Sequence, residues 1–176
     1  TQLLEGYASD PSILDELEFV IVPVVNPDGF VHTWTTDRVW RKNRRDPPSG
    51  SSCMGVDLNR NWDSHWSGPG ASDNPCSDTY YGSSAFSEPE TKATSDYILK
   101  TGPFLVGIDY HSFSQIVMRP YGWTLPGNRG GQDPPSKEAL QAAAEGMADA
   151  IERTHGQLYT PEPAAQRYVA SGGADG

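Results

Sequence analysis

Two apolar, β-branched runs restrict this chain to a layered fold. Phe19-Val20-Ile21-Val22-Pro23-Val24-Val25 is closed by Asn26-Pro27-Asp28-Gly29, and Phe104-Leu105-Val106-Gly107-Ile108 leads into Asp109-Tyr110-His111. Runs of this length, stopped by turn residues, predict buried strands over 18–25 and 104–110. Pro23 puts the first at a sheet edge or a bulge. Ser87-Glu88-Pro89-Glu90 has the spacing of a capping box, with Ser87 as N-cap and Glu90 three residues on. It predicts a helix from Glu88 to about Thr101, where Gly102-Pro103 stops it. Leu140, Ala143, Met147 and Ile151 recur at helical spacing and predict a second helix over 137–154. Strand, helix, strand, helix is an α/β order.

Length and charge narrow the function. A chain of 176 residues makes one domain with a core and is too short for two ordinary ones. A net charge of -10 argues against nucleic acid as a partner, because phosphate binding needs a basic surface. No apolar run approaches the ~20 residues that span a bilayer, so no membrane partner is expected. Arg38, Arg41, Lys42, Arg44 and Arg45 gather five of the 13 basic residues, which by charge alone reads as a solvated loop. From Phe30 to Tyr81 no helical period persists. Such a long irregular segment is either disordered or functional. Trp34, Trp40, Trp62 and Trp66 are anchors that favour an ordered one. Cys53 and Cys76 are two buried thiols or one bridge.

Chemistry concentrates in two places. Asp57-Leu58-Asn59-Arg60-Asn61-Trp62-Asp63 sets an amide and a guanidinium side by side in a polar loop. Arginine holds a carboxylate with two parallel hydrogen bonds, and asparagine adds a neutral donor. The bland reading of Arg60 is a structural salt bridge. His111-Ser112-Phe113-Ser114-Gln115 puts an imidazole where an apolar run ends, the place where open α/β sheets bind ligands. A lone histidine there is more often not a metal ligand than one.

Taken in order, Asn26-Pro27-Asp28-Gly29-Phe30, Arg38-Val39-Trp40-Arg41-Lys42, Gly55 to Asp63, His111 to Gln115 and Ala170-Ser171-Gly172-Gly173 are similar to blocks of the zinc metallocarboxypeptidases of the pancreatic carboxypeptidase A/B type. The resemblance runs from about Leu17 to Gly173. It implies that residues 1–176 are a partial domain of that family: an incomplete α/β fold with a mixed β-sheet flanked by helices on both faces. It also implies zinc as cofactor, peptide or protein C-termini as substrate, a monomer and a secreted protein. A Cys53–Cys76 disulfide is implied as well, which would stabilise the fold by roughly 3 kcal/mol through the unfolded state and fits an oxidising compartment.

Residue by residue, the resemblance makes His111 a zinc ligand and gives Asn59 and Arg60 the substrate's terminal carboxylate. Arg41 would polarise the scissile carbonyl and stabilise the developing oxyanion. Arg38 would serve an outer subsite, and Asp57 would orient a ligating histidine. Tyr168 would close over bound substrate; its bland alternative is a partly buried surface tyrosine. Phe113 replaces the family's usual tyrosine. Asp175 falls where members that prefer Lys or Arg place an acid, and would select a basic side chain by charge, although Ala174 and Gly176 depart from that pattern.

The family's His-x-x-Glu motif is not in this sequence: none of His32, His65, His111 and His155 has Glu three residues on. The resemblance puts that motif before Thr1 and the general-base glutamate beyond Gly176. These residues alone are therefore expected to be inactive. One competing reading is a catalytically dead relative that binds peptide C-termini without cleavage. Another is a lectin-like role for exposed tryptophans.

Overall fold

Local chemistry sets the helices of the computed structural model, which describes residues 2–9, 11–124 and 133–174. In chain order these form α1 (Gln2–Gly6), α2 (Ser12–Glu16), α3 (Pro27–Thr35), α4 (Pro89–Thr101), β1 (Ile116–Arg119), α5 (Lys137–His155), β2 (Thr160–Pro163) and α6 (Ala164–Arg167). The Asn26 Oδ1 accepts the Gly29 N–H at 2.9 Å. Pro27 follows as the first helical residue, where its missing N–H costs nothing. The residues expected to close a strand therefore begin α3, which runs on to Thr35, into the segment from Phe30 expected to hold no helix.

α4 ends where Gly102-Pro103 predicts, but its start is displaced from the expected capping box. Glu88 is the N-cap and Pro89 the first helical residue, with no side-chain cap bond. Proline's fit to that first position outweighs the Ser87–Glu90 spacing. Ser87 Oγ donates instead to Glu88 Oε1 at 2.7 Å. α5 closes on Gly156, whose φ of 67° supplies the left-handed cap. Its buried residues are Ala144 and Ala148; Leu140, Met147 and Ile151 are half-buried, and Ala143 is exposed.

β1 and β2 pair in parallel, with Ile116 opposite Thr160 and Arg119 opposite Pro163. α5 is the crossover and packs on both strands. This βαβ unit, with α5 packed on both strands and α6 against β2, is an α/β arrangement.

The two predicted buried strands are corrected by the structure. Neither 18–25 nor 104–110 joins a ladder among the described residues. Ile21 is 68% exposed and Leu105 is 90% exposed. β-branched residues favour an extended backbone, but a strand exists only where a neighbour takes up its N–H and C=O groups. His111 accordingly follows an irregular segment rather than a strand end. The surface reflects this: the chain exposes 11931 Å², whereas a compact monomer of this mass exposes roughly 8,400 Å².

What is buried is mostly small or polar. The buried apolar residues are Val56, Ala144, Ala148, Ala164, Ala165 and Ala170, and beside them lie Asn43, Asp57, Arg60, Asn61, Glu88 and Thr91. Asn61 is fully enclosed, at 0% exposure. Its Nδ2 donates to Tyr81 O (2.9 Å), Ser84 O (3.0 Å) and Ser87 Oγ (2.9 Å). Its Oδ1 accepts from Thr91 Oγ1 at 2.7 Å and the Glu88 N–H at 3.2 Å. Asn43 Nδ2 donates to Glu88 Oε2 at 2.7 Å, and Asn43 Oδ1 accepts the Val56 N–H at 2.8 Å. Two amides thus fasten the start of α4 to the irregular segment. Asn61→Ala strands several buried partners, so the unfolding free energy should fall by about 3 kcal/mol in urea titration. A loss below about 1 kcal/mol would show that the network is dispensable.

Candidate functional site

Asp57 opens the site by capping a single 3₁₀ turn, Leu58–Arg60. Its Oδ1 accepts the Asn59 N–H at 3.1 Å, which fixes the start of the turn that carries Asn59 and Arg60. The other oxygen, Oδ2, accepts from Arg41 Nε at 3.0 Å and Arg41 Nη2 at 2.8 Å. Asp57 is therefore engaged by Arg41, which is itself exposed. A Cys53–Cys76 disulfide closes the segment around this turn. Lys42, buried beside it, donates through Nζ to Pro75 O at 2.7 Å. Burial lowers the Lys42 pKa, against the opposing charges of Asp78 and Asp57.

Arg60 is 3% exposed. Its Nε donates to Gly70 O at 3.0 Å and its Nη1 to Asn59 O at 2.6 Å. The Asp57 carboxylate is 4.0 Å away, beyond hydrogen-bond length. The guanidinium hydrogen-bonds two neutral carbonyls and is loosely ion-paired with Asp57. The Tyr168 ring lies 5.9 Å from it, at cation–π range, and Tyr168 is half exposed. Asn59 Oδ1 accepts the Ala174 N–H at 3.0 Å, which ties the 170–174 segment to the same turn. Trp62 N–H donates to Gly172 O at 3.0 Å. Gly172, at φ 70°, lies so close that a Cβ there would fall 2.4 Å from Arg60 O.

Asn59, Arg60, Arg41, Asp57 and Tyr168 thus come together, as the sequence leads one to expect. Arg38 does not join them; it is exposed and stacks over Trp34 at 5.3 Å. Asp175 lies outside the described residues. His111 is exposed, and its Nε2 is 2.9 Å from Asp109 Oδ2. The Asp109 hydrogen bond raises the His111 pKa above its ordinary value. Desolvation and the Arg41 charge oppose this shift, and the charges of Asp109 and Asp57 add to it. Arg41, Asp57 and His111 therefore share one electrostatic neighbourhood.

A catalytic zinc takes three protein ligands and keeps one position open. Among the described residues no group of three or more His, Cys, Asp or Glu side chains could hold a metal ion. These residues alone do not fit a zinc centre. Asn61 and Glu88 lie within motifs the sequence singled out, but their supporting role, like that of Asn43 and of the stacked pair His65 and Trp123, has no sequence signal of its own. Their partners lie tens of residues away, and only the fold assembles them.

Comparison with known proteins gives a consistent picture. A family described as zinc carboxypeptidase matches residues 1–176. Carboxypeptidase A2 of Rattus norvegicus is 42% identical over 177 residues, 98% of this chain and 41% of the relative. A Blastomyces gilchristii protein described as an inactive metallocarboxypeptidase is 40% identical over 166 residues, 91% of this chain and 27% of the relative. The crystal structure of carboxypeptidase A from Helicoverpa armigera superposes with a TM-score of 0.79 at 37% identity, covering 99% of this chain and 44% of that one. The chain spans about two fifths of the length of the carboxypeptidase A2 that it matches.

The Asp109–His111 pair has a pH signature. Because the folded pKa is raised, its contribution to stability is complete below the unfolded value and is lost as pH rises through the folded one. In metal-free protein, NMR of the ring protons should give a His111 midpoint above the ordinary histidine value, and Asp109→Asn should lower it. Equal midpoints would contradict the pairing.

Proposed function

The chain belongs to the zinc carboxypeptidase family, and on that premise we propose that its residues form the carboxylate-gripping half of a site that releases C-terminal residues from peptides or proteins. The observation that carries this reading is the state of Arg60. Arg60 is buried, its hydrogen bonds go to two backbone carbonyls, and its ion pair with Asp57 is loose, at 4.0 Å, so the guanidinium makes no hydrogen bond to a carboxylate among the described residues. Only a C-terminal residue presents a carboxylate next to the last peptide bond, so gripping that anion selects the chain end. Asn59 stands beside Arg60 to share the carboxylate. Tyr168, half exposed over the guanidinium, closes the site when its ring moves with bound peptide.

Arg41 has a different task. Asp57 binds two of its nitrogens through one oxygen, which fixes the plane of the guanidinium. A donor held in place before the reaction stabilises a developing oxyanion without reorganising. His111 is the zinc donor of this reading; zinc, when bound, polarises a carbonyl and activates water. One imidazole does not make a zinc centre, so what these residues do by themselves is bind and orient. The exposed runs 18–25 and 104–110 support a chain that works inside a longer domain. The disulfide supports secretion. Arg38 is assigned to an outer subsite, and Asp175 to a preference for C-terminal Lys or Arg.

The relative described as inactive supports a second reading, in which the same grip holds peptide C-termini without cleaving them. The two readings separate in the full-length protein that carries this chain. Cleavage of a blocked dipeptide, abolished by chelator, supports the enzyme; binding without cleavage supports the second reading. The 176 residues alone should give no hydrolysis in either case, and chelator-sensitive turnover by them would contradict that. In an active full-length protein, Arg60→Lys keeps the charge and loses the fork, so kcat/KM should fall roughly tenfold to a hundredfold. An unchanged value would remove Arg60 from the site. Hippuryl-Arg should be cut faster than hippuryl-Phe; the reverse order would remove the role given to Asp175.

A further inference from the structure

The loop that supports Arg60 is under unusual backbone constraint. His65 has φ 52° and Ser67 φ 63°, and Gly70 follows at φ 82°. Left-handed backbone is uncommon for non-glycine residues and persists only where the surroundings enforce it. Four contacts do so here. The His65 ring stacks on Trp123 with centroids 3.6 Å apart and planes 14° apart. Trp66 Nε1 donates to Tyr81 O at 3.1 Å. The N–H groups of Ser171 and Gly172 donate to Pro69 O at 3.0 Å and Ser64 O at 2.8 Å. Ser171 is fully enclosed, and its hydroxyl has no hydrogen-bond partner among the described residues. Buried unsatisfied groups and backbone outliers gather at functional sites, and here both fall in one small region.

What the loop holds is the grip itself. Gly70 O is the acceptor that anchors Arg60 Nε. Gly172, bound to Ser64 O, lies against the Arg60 carbonyl. The face-to-face pair is the only ring contact that joins residues 64–70 to the segment following β1, among the described residues. Trp123 belongs to that segment, which Ala170 also meets through its N–H to Gly122 O at 2.8 Å.

We propose that the His65–Trp123 stack is the clasp of this loop, and that both are positioning residues that set the Arg60 guanidinium through Gly70 O and Gly172. The proposal rests on Arg60 as the substrate-carboxylate grip. A clasp of this kind acts on substrate binding more than on bond cleavage, because what it steadies, Gly70 O and Gly172, bears on Arg60.

The test is steady-state kinetics in the full-length protein, with a blocked dipeptide and its C-terminal amide as substrates. His65→Asn is the informative variant, since asparagine tolerates the left-handed backbone and lacks the ring. KM for the free acid should rise roughly tenfold while kcat changes little, the pattern of lost ground-state positioning. Trp123→Leu should behave alike, and Trp123→Phe, which keeps an aromatic face, should restore most of the affinity. If His65→Asn leaves KM unchanged while the parent requires a free carboxylate, the clasp is wrong and the grip stands. A fall in kcat at constant KM also overturns the clasp. A parent that cuts acid and amide alike overturns both.

Discussion

The structure depends on one buried amide. Asn61 meets the first turn of α4 through the Glu88 N–H and the Thr91 hydroxyl, and meets the 81–87 loop through its own NH2 group. Its backbone carbonyl accepts the Phe86 N–H at 2.7 Å. A buried amide is stabilising only when nearly all of its bonds are made, so it admits one arrangement of the surrounding chain. Because Arg60 is its neighbour in sequence, that arrangement also places the guanidinium. Scaffold and site meet at this amide, and Asn43 adds a second tie from the irregular segment to Glu88.

From that point the electrostatics follow. Asp57 is 2% exposed and lies between two arginines, yet it bonds only Arg41 at short range. The asymmetry divides the work. One guanidinium is hydrogen-bonded to the carboxylate and fixed at the surface, and the other hydrogen-bonds two carbonyls and pairs with the carboxylate only at 4.0 Å. Burial strengthens the second for an anion, because fewer water dipoles compete for it. The price is desolvation of a charge, and the packing of Gly172 against Arg60 and the left-handed backbone at His65 show how tightly the surroundings must close to hold it.

Much of this was legible in the sequence where the determinants are local. Gly102-Pro103 marked the end of α4, and the helical spacing of Leu140, Met147 and Ile151 marked α5. The family blocks grouped Asn59 and Arg60 with Arg41, Asp57 and Tyr168, and the cysteine pair came from the same resemblance. Non-local features were not legible. The runs at 18–25 and 104–110 have strand composition, but ladder partners are a property of the whole fold, and none stands beside them among the described residues. Asn26 misled because the same four residues can close a strand or cap a helix. The His65–Trp123 stack joins residues 58 positions apart, and neither residue announces it.

The central claim, that Arg60 is an available charge built to receive a chain-terminal carboxylate, is tested most directly by calorimetric titration of an N-acetyl amino acid and its amide into the full-length protein. The account predicts that the acid binds at least roughly tenfold more tightly than the amide, and that Arg60→Lys removes most of the difference. Equal affinity for acid and amide would mean that Arg60 is a structural cation and that the site recognises something other than a C-terminus.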